Sequence, residues 1–360
     1  MNFTDDPSNF YYSKKNLLEK RYLNCVYKEL SKTSSYTSII SAGLWRLFGG
    51  HISFNESVKI FLKLLESGIN HFDLGNNYGR PPGSSESIFG QVLQEYKELR
   101  DELIISSKAG YEMFPGPNGS GSSLKHLRSQ IENSLKRLSV DYLDIFYTHR
   151  YDPRCEIESV ADTLKYLYDL GLFLYVGISS YPKEELHELI SYLNERKVPI
   201  ACLQYNISLI SLDNFAICKE CYQKWNISTV AFSPLAQGLL TNSYLKNNKS
   251  INSRINENKT TVPNISKEME QNFTYIKEFS QENNLSLESL AIAWLLSQKF
   301  ICSALYGPRE DNHIFNMLEI KKIIDNGNLN INYEKLFLNS IPDINQWKVR
   351  DIKSNFNIID

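Results

Sequence analysis

Much that would mark a special-purpose chain is missing. The six cysteines of this 360-residue sequence are scattered, and only Cys218 and Cys221 stand at CxxC spacing. There is no second CxxC and no pair of histidines at ligand spacing. The pair therefore reads as a redox couple, as half a zinc site, or as two cysteines on a helix, and no metal is expected. Reduced thiols suit a cytosolic protein. Neither charge sign dominates: a formal net charge of −2 and a sequence pI of about 6.4 give no electrostatic case for nucleic acid or an anionic membrane surface. No run approaches the roughly 18 apolar residues of a membrane span. The opening stretch MNFTDDPSNFYYSKK lacks an apolar signal core, so a cytoplasmic location is the expectation. No GxGxxG follows a strand-like run and opens a helix. The nearest glycine run, GPNGSGSS at 116–123, lacks the third glycine and starts well past the run that ends near Ser107, which argues against a Rossmann dinucleotide site.

What is present is a rhythm. Short, β-forming apolar runs recur at 38–44, 70–74, 103–107, 143–148, 173–178, 200–204, 228–232 and 301–306. They are nearly continuous in apolar residues, as parallel strands buried on both faces are. Helix-like stretches separate them, among them 54–67, 123–138, 156–170 and 182–195. In 123–138, Leu124, Leu127, Ile131, Leu135 and Leu138 recur at three- and four-residue steps and form one apolar stripe. Ser122 or Ser123 can cap that helix, Pro182 suits a first helical turn, and Gly68 and Gly171 suit left-handed helix ends.

Eight strands alternating with helices predict a parallel α/β sheet, either closed as a (β/α)8 TIM barrel or open and doubly wound. The strand count favours closure. So do Trp45, Asp73, Lys108, His149, Ser179, Gln204, Ser233 and Gly307, each at or just past the C-terminal end of a run. In a closed barrel those ends share the face where such enzymes keep their active sites. Residues 1–22 read as an N-terminal extension, 23–338 as the barrel domain and 339–360 as a C-terminal tail. The Asn-, Ser- and Lys-rich stretch 241–265 reads as a long polar loop, of a length that is usually functional or disordered.

Tyr78, in GINHFDLGNNYG, is the candidate proton donor. A free phenol titrates at about 10, and a nearby Lys108 ammonium would favour the phenolate and bring that value down. Asp73 would hold Lys108, and His149 would orient a substrate carbonyl. Singly, Asp73 also reads as a turn former and His149 as a structural histidine; at the ends of runs two, three and four they read as one proton-handling set. Ser179, Ser180 and Gln204 offer donors and acceptors to an amide, and Phe232 offers a face to a ring. The small-residue turn Ser233, Pro234, Leu235, Ala236, Gln237, Gly238 allows close approach of a pyrophosphate. Arg254 and Arg309 read either as partners for nucleotide phosphates or as solvated surface arginines.

In order along the chain, GINHFDLGNNYG, LIISSKAGY, SLKRLSVDYLDIFYTHR, YVGISSY and FSPLAQGLL resemble the aldo-keto reductase family, from about Val26 to Leu318. GLWRLFGG, NNYGRPPGSSE and YEMFPGPNGSG are similar to the branch holding potassium-channel β-subunits and bacterial L-glyceraldehyde 3-phosphate reductases. The resemblance implies NADPH on the C-terminal face of the barrel, with NADH not excluded, and a small carbonyl substrate. It implies Tyr78 as acid, with Asp73, Lys108 and His149 completing a tetrad. It places Leu44, Trp45, Asp73, Ser179, Ser180, Gln204, residues 233–238 and Gly307 at the cofactor, with Phe232 against the nicotinamide. It extends to a homo-oligomer, a tetramer or larger ring. The channel β-subunits carry Asn where this chain has His149, which favours reduction over a purely regulatory, cofactor-sensing role. Three departures from the family pattern stand out, and the first two, at the adenosine end, leave NADPH against NADH open. Asn242 and Ser243 replace a Gly-Lys. The run GPREDNHIFNML brings Arg309, His313, Asn316 and Met317 where a Ser, a Gln and a Glu-Asn pair are usual. YNISLI follows Gln204 in place of a spaced Tyr-Asn.

Overall fold

The computed structural model describes residues 21–45, 48–49, 52–241, 267–307 and 317–325. The expected extension, polar loop and tail lie almost wholly outside the described residues, and Arg254, Arg309, Asn242, Ser243, His313 and Asn316 lie outside them too.

An antiparallel hairpin, β1 (Tyr27–Glu29) with β2 (Tyr36–Ser38), comes first and is absent from the sequence reading. Its strands are three residues long and carry no apolar alternation, so periodicity does not find them. The signal is the Ser/Thr-rich turn between them, where Ser31 and Ser34 take positive φ. The hairpin stoppers one end of the barrel. Leu30 is buried, Ser31 Oγ donates to Ala201 O at 2.5 Å, and Lys28 Nζ donates to Leu296 O and Ile301 O at 2.7 and 2.9 Å.

Eight parallel strands then close on themselves. They are β3 (Ile40–Gly43), β4 (His71–Asp73), β5 (Ile104–Ala109), β6 (Leu143–Thr148), β7 (Phe173–Ser179), β8 (Ile200–Asn206), β9 (Thr229–Phe232) and β10 (Ile301–Tyr306). Each lies within one of the eight expected runs or extends it by a residue or two. Closure is made by β10 against β3, with Ala304 opposite Ile40 and Tyr306 opposite Ala42, so the open-sheet alternative falls. Strand alternation sorts the side chains. On β4, Phe72 points outward into a cluster with Phe61 and Phe89, at ring separations of 5.2 Å to each, while His71 and Asp73 point into the barrel.

The helices form the outer layer, and some of them begin where a side chain satisfies a first-turn amide. In α1 (Phe54–Glu66), Ser53 Oγ accepts from Glu56 N and Glu56 answers by accepting from Ser53 N, a reciprocal capping box. After α2 (Ser84–Gln94), the helix α3 (Leu124–Leu138) is capped by Ser123, not Ser122, whose amide instead donates to Asp152. The predicted stripe of α3 is buried except Leu124, its first residue, which is 48% exposed. Helices α4 (Ile157–Asp169) and α5 (Lys183–Glu195) follow; Pro182 is the residue before α5 rather than inside its first turn. Gly68 and Gly171 close their helices at positive φ. Cys218 and Cys221 lie on α6 (Phe215–Trp225), both fully buried in the apolar core, with the Cys221 thiol pushed up to about 12 by burial. Neither resembles a reactive redox thiol, which needs a lowered pKa and access. Helices α7 (Lys267–Glu282), α8 (Leu287–Ser297) and α9 (Met317–Asp325) complete the described chain.

Candidate active site

Asp73 is the last residue of β4, Lys108 lies in β5, and His149 follows β6 directly. Parallel register brings these neighbouring strand ends together: Asp73 pairs with Ser106, and Lys108 with Tyr147. Lys108 Nζ donates to Asp73 Oδ2 at 2.5 Å and to Leu74 O at 2.6 Å, with the ammonium fully buried. Tyr78 comes back over this pair through a tight turn in which its amide donates to Gly75 O at 2.9 Å. A Cβ on residue 75 would sit 2.9 Å from Tyr78 Cε1, so a side chain larger than that of Gly75 would displace the Tyr78 ring. The Tyr78 ring lies 5.1 Å from Lys108 Nζ, and its centroid is 5.8 Å from that of His149. The four residues expected to act together are therefore assembled at one point.

Their electrostatics differ from the sequence expectation in one respect. Lys108 does not bring the Tyr78 phenol below its usual value. Burial pushes the phenol well above its usual value, and the Asp73 carboxylate and Tyr111 push it further the same way. Burial outweighs the nearby ammonium, two of whose N–H groups are already taken by Asp73 Oδ2 and the Leu74 carbonyl. Tyr78 is thus a phenol that keeps its proton at neutral pH. Burial lowers the Lys108 pKa while Asp73 opposes that shift. Burial, then Lys108, then Arg150 hold His149 well below the usual histidine range, so its ring is neutral.

The expected cofactor residues line the same rim. Leu44 is buried, with its amide donating to Asp73 O at 3.0 Å, and Trp45 is 46% exposed, its ring 6.4 Å from Tyr78. Ser179 Oγ donates to Gln204 O at 3.0 Å, and Ser180 stands beside it at positive φ. Gln204 Nε2 donates to Asp73 Oδ1 at 3.1 Å, which ties the carboxamide edge to the proton-handling set. Phe232, half-buried, ends β9, and the turn behind it carries positive φ at Ser233, Ala236 and Gly238 around Pro234 and Leu235. The Gln237 side chain lies outside the described residues. Gly307 follows β10 on the same face.

Several residues at the centre escaped the sequence reading. Ser106 Oγ donates to Asp73 Oδ1 at 2.7 Å, and His71 bonds Ser106. Tyr111 meets His149 edge-on at 4.6 Å, and the Arg150 guanidinium lies 4.7 Å from the Tyr111 ring. Buried Asn76 donates from its amide to Lys108 O at 3.0 Å and from Nδ2 to Gln130 Oε1 at 3.1 Å. A signal for two of them was available: His71 and Ser106 stand two residues before Asp73 and Lys108, hence on the same strand face. Among the described residues, no group of three or more His, Cys, Asp or Glu could hold a metal ion, and no helix is long and apolar enough to cross a membrane.

The family model described as Aldo/keto reductase family matches residues 39–328. L-glyceraldehyde 3-phosphate reductase of Escherichia coli (strain K12) is 39% identical over 297 residues, covering 80% of this chain and 85% of that protein. A probable voltage-gated potassium channel subunit beta of Oryza sativa subsp. japonica is 29% identical over 305 residues, covering 83% of this chain and 92% of that protein. A similar subunit of Arabidopsis thaliana is also 29% identical. With that match across most of its length, on a closed (β/α)8 barrel, the chain belongs to the aldo/keto reductase family and is an NAD(P)H-dependent oxidoreductase.

Proposed function

We propose that this chain reduces small aldehydes or ketones with NADPH, and that Tyr78 donates the proton. The observation that carries the reading is the Asp73–Lys108 pair buried beneath a protonated Tyr78 and beside a neutral His149.

The residues present fit a dinucleotide. Asn206 Oδ1, Ser208 Oγ and His149 Nδ1 are buried without a partner on or near this rim, as groups awaiting a polar ligand would be. The turn after Phe232 offers backbone rather than bulk. Ser179, Ser180 and Gln204 would hold the carboxamide end, Phe232 would lie against the ring, and residues 233–238 would take the pyrophosphate. The nicotinamide, when bound, supplies the hydride to the carbonyl carbon.

This chain's residues do the rest. His149, neutral and wedged against Tyr111, orients the carbonyl oxygen toward the Tyr78 hydroxyl. The phenol gives its proton to the developing alkoxide, which is the stronger base, so a raised phenol pKa does not block the transfer. The nearby Lys108 ammonium stabilises the phenolate left behind, and Asp73 keeps that ammonium charged and in place. Short substrates are favoured by the aromatic rim of Trp45, Tyr78 and Tyr111. Arg150, beside Tyr111, suits an anionic tail such as the phosphate of glyceraldehyde 3-phosphate; methylglyoxal is the uncharged counterpart. A cytoplasmic homo-oligomer, tetramer or larger ring, belongs to the same reading, and sedimentation of the purified protein tests it.

Tyr78→Phe decides the mechanism. It should cut turnover of a small-aldehyde panel by about 100-fold or more while leaving NADPH binding, read by fluorescence titration, within twofold of wild type. Full activity in that variant would sink the assignment. A wild type that binds NADPH yet turns over no carbonyl would instead support a regulatory subunit like the channel β relatives. Titrating NADPH against NADH settles the nucleotide.

A further inference from the structure

The barrel interior below Asp73 holds a hydrogen-bonded chain of polar side chains. His71 is fully buried, with Nε2 3.0 Å from Ser106 Oγ and Nδ1 3.0 Å from Ser41 Oγ and 3.3 Å from Thr37 Oγ1. Ser41 Oγ lies 2.6 Å from Ser303 Oγ, which bonds Ser38 O at 2.8 Å. At the other end, Ser106 Oγ meets Asp73 Oδ1 at 2.7 Å.

Donor bookkeeping gives this chain a direction. An ionised carboxylate only accepts, so the Ser106 proton points at Asp73. The Ser106 oxygen must then accept from His71, which makes His71 the Nε2–H tautomer and leaves Nδ1 to accept from Thr37, since Ser303 gives its proton to Ser38 O and takes that of Ser41. Donors from three strands, β2, β4 and β5, are thereby aligned toward one carboxylate oxygen, and each bond polarises the next. Asp73 Oδ2 is left for Lys108.

We propose that His71 is a positioning residue for proton donation: through Ser106 it fixes the rotamer of Asp73, and through Asp73 the charge and place of Lys108 beneath Tyr78. The inference rests on the reading of Tyr78 as the proton donor. Asp73 and Lys108 are the titratable groups whose charges reach His71, and Cys202 stands further along beside Lys108. Burial drives His71 down to about 4, so it stays neutral through the range where such enzymes work.

The test has two arms. In the first, nitrogen NMR of the full-length unliganded protein reads the His71 ring. The expected result is a neutral Nε2–H tautomer that does not titrate between about pH 5.5 and 8.5 and whose Nε2 shift moves in Ser106→Ala. An Nδ1–H tautomer, or titration inside that window, overturns the proposal. This arm needs no turnover, so it stands even if no carbonyl is reduced. In the second arm, His71→Leu and Ser106→Ala should each lower kcat about tenfold with the KM for NADPH within twofold. The double variant should be no worse than either single one, and His71→Gln, which keeps an amide donor for Ser106, should recover most of the loss. A merely structural histidine would give additive losses and no recovery in His71→Gln. Should His71→Leu fail to fold, Ser106→Ala carries the same readout.

Discussion

Lys108 Nζ meets Asp73 Oδ2 at 2.5 Å, and neither side chain is more than 2% exposed. A pair so deeply buried is held by its partners rather than by water, and removing one charge strands the other. Asp73→Asn keeps the shape and deletes the charge. It is expected to cost about 3–5 kcal/mol of stability, read as a lower urea midpoint, and to reduce turnover at least about 100-fold. A variant with wild-type stability would show that the pair is not ionised in the folded protein.

The buried imidazoles set an acid limit on the fold. His71 is held down at about 4, whereas an unfolded chain's histidine titrates near 6.5. Its contribution is present in full above the unfolded value and is lost as pH falls toward 4, because the unfolded chain takes up the proton first. Between pH 7 and pH 5 this one group should remove about 2 kcal/mol, and His149, depressed in the same direction, should add to the loss. Urea midpoints across that range should fall, and His71→Gln should flatten the slope.

Gly90 sits inside α2, where alanine would ordinarily favour the helix by about 1 kcal/mol. Here a Cβ would come within 2.2 Å of Arg137 O and 2.8 Å of Leu138 Cα, both backbone atoms of α3. The clash wins: Gly90→Ala should destabilise by about 1–3 kcal/mol by levering α2 from α3. A raised melting temperature in the variant would contradict this.

Glu86, fully buried on α2, accepts from Ser107 Oγ at 2.5 Å and from Arg137 Nε at 2.7 Å, tying α2 to β5 and α3. Glu86→Ala leaves the Arg137 guanidinium without this carboxylate. The expected loss is about 3 kcal/mol in urea unfolding, with restoration of part of it when Arg137→Met is added. Strict additivity of the two changes would refute the coupling.

The eight apolar runs and the polar residues at their ends were enough to read a closed barrel with Asp73, Tyr78, Lys108 and His149 on one rim. Parallel strands buried on both faces leave a period that survives in one dimension, and strand ends are punctuated by the residues that must leave the apolar core. The β1–β2 hairpin left no such period, since its role is to cover the barrel floor with Leu30, Ser31 and Lys28 through contacts to strands and helices far along the chain.

Residue types and their order thus pointed to the family and to a closed barrel, and picked out four residues that the fold brings together. Tertiary structure decided where the charges point. Lys108 donates to Asp73 and to the Leu74 carbonyl, Gln204 and Ser106 share Asp73 Oδ1, and His71 stands behind them. The physical reason is that proton affinity depends on burial and on hydrogen-bond direction, and both arise only when strands distant in sequence close around the same carboxylate.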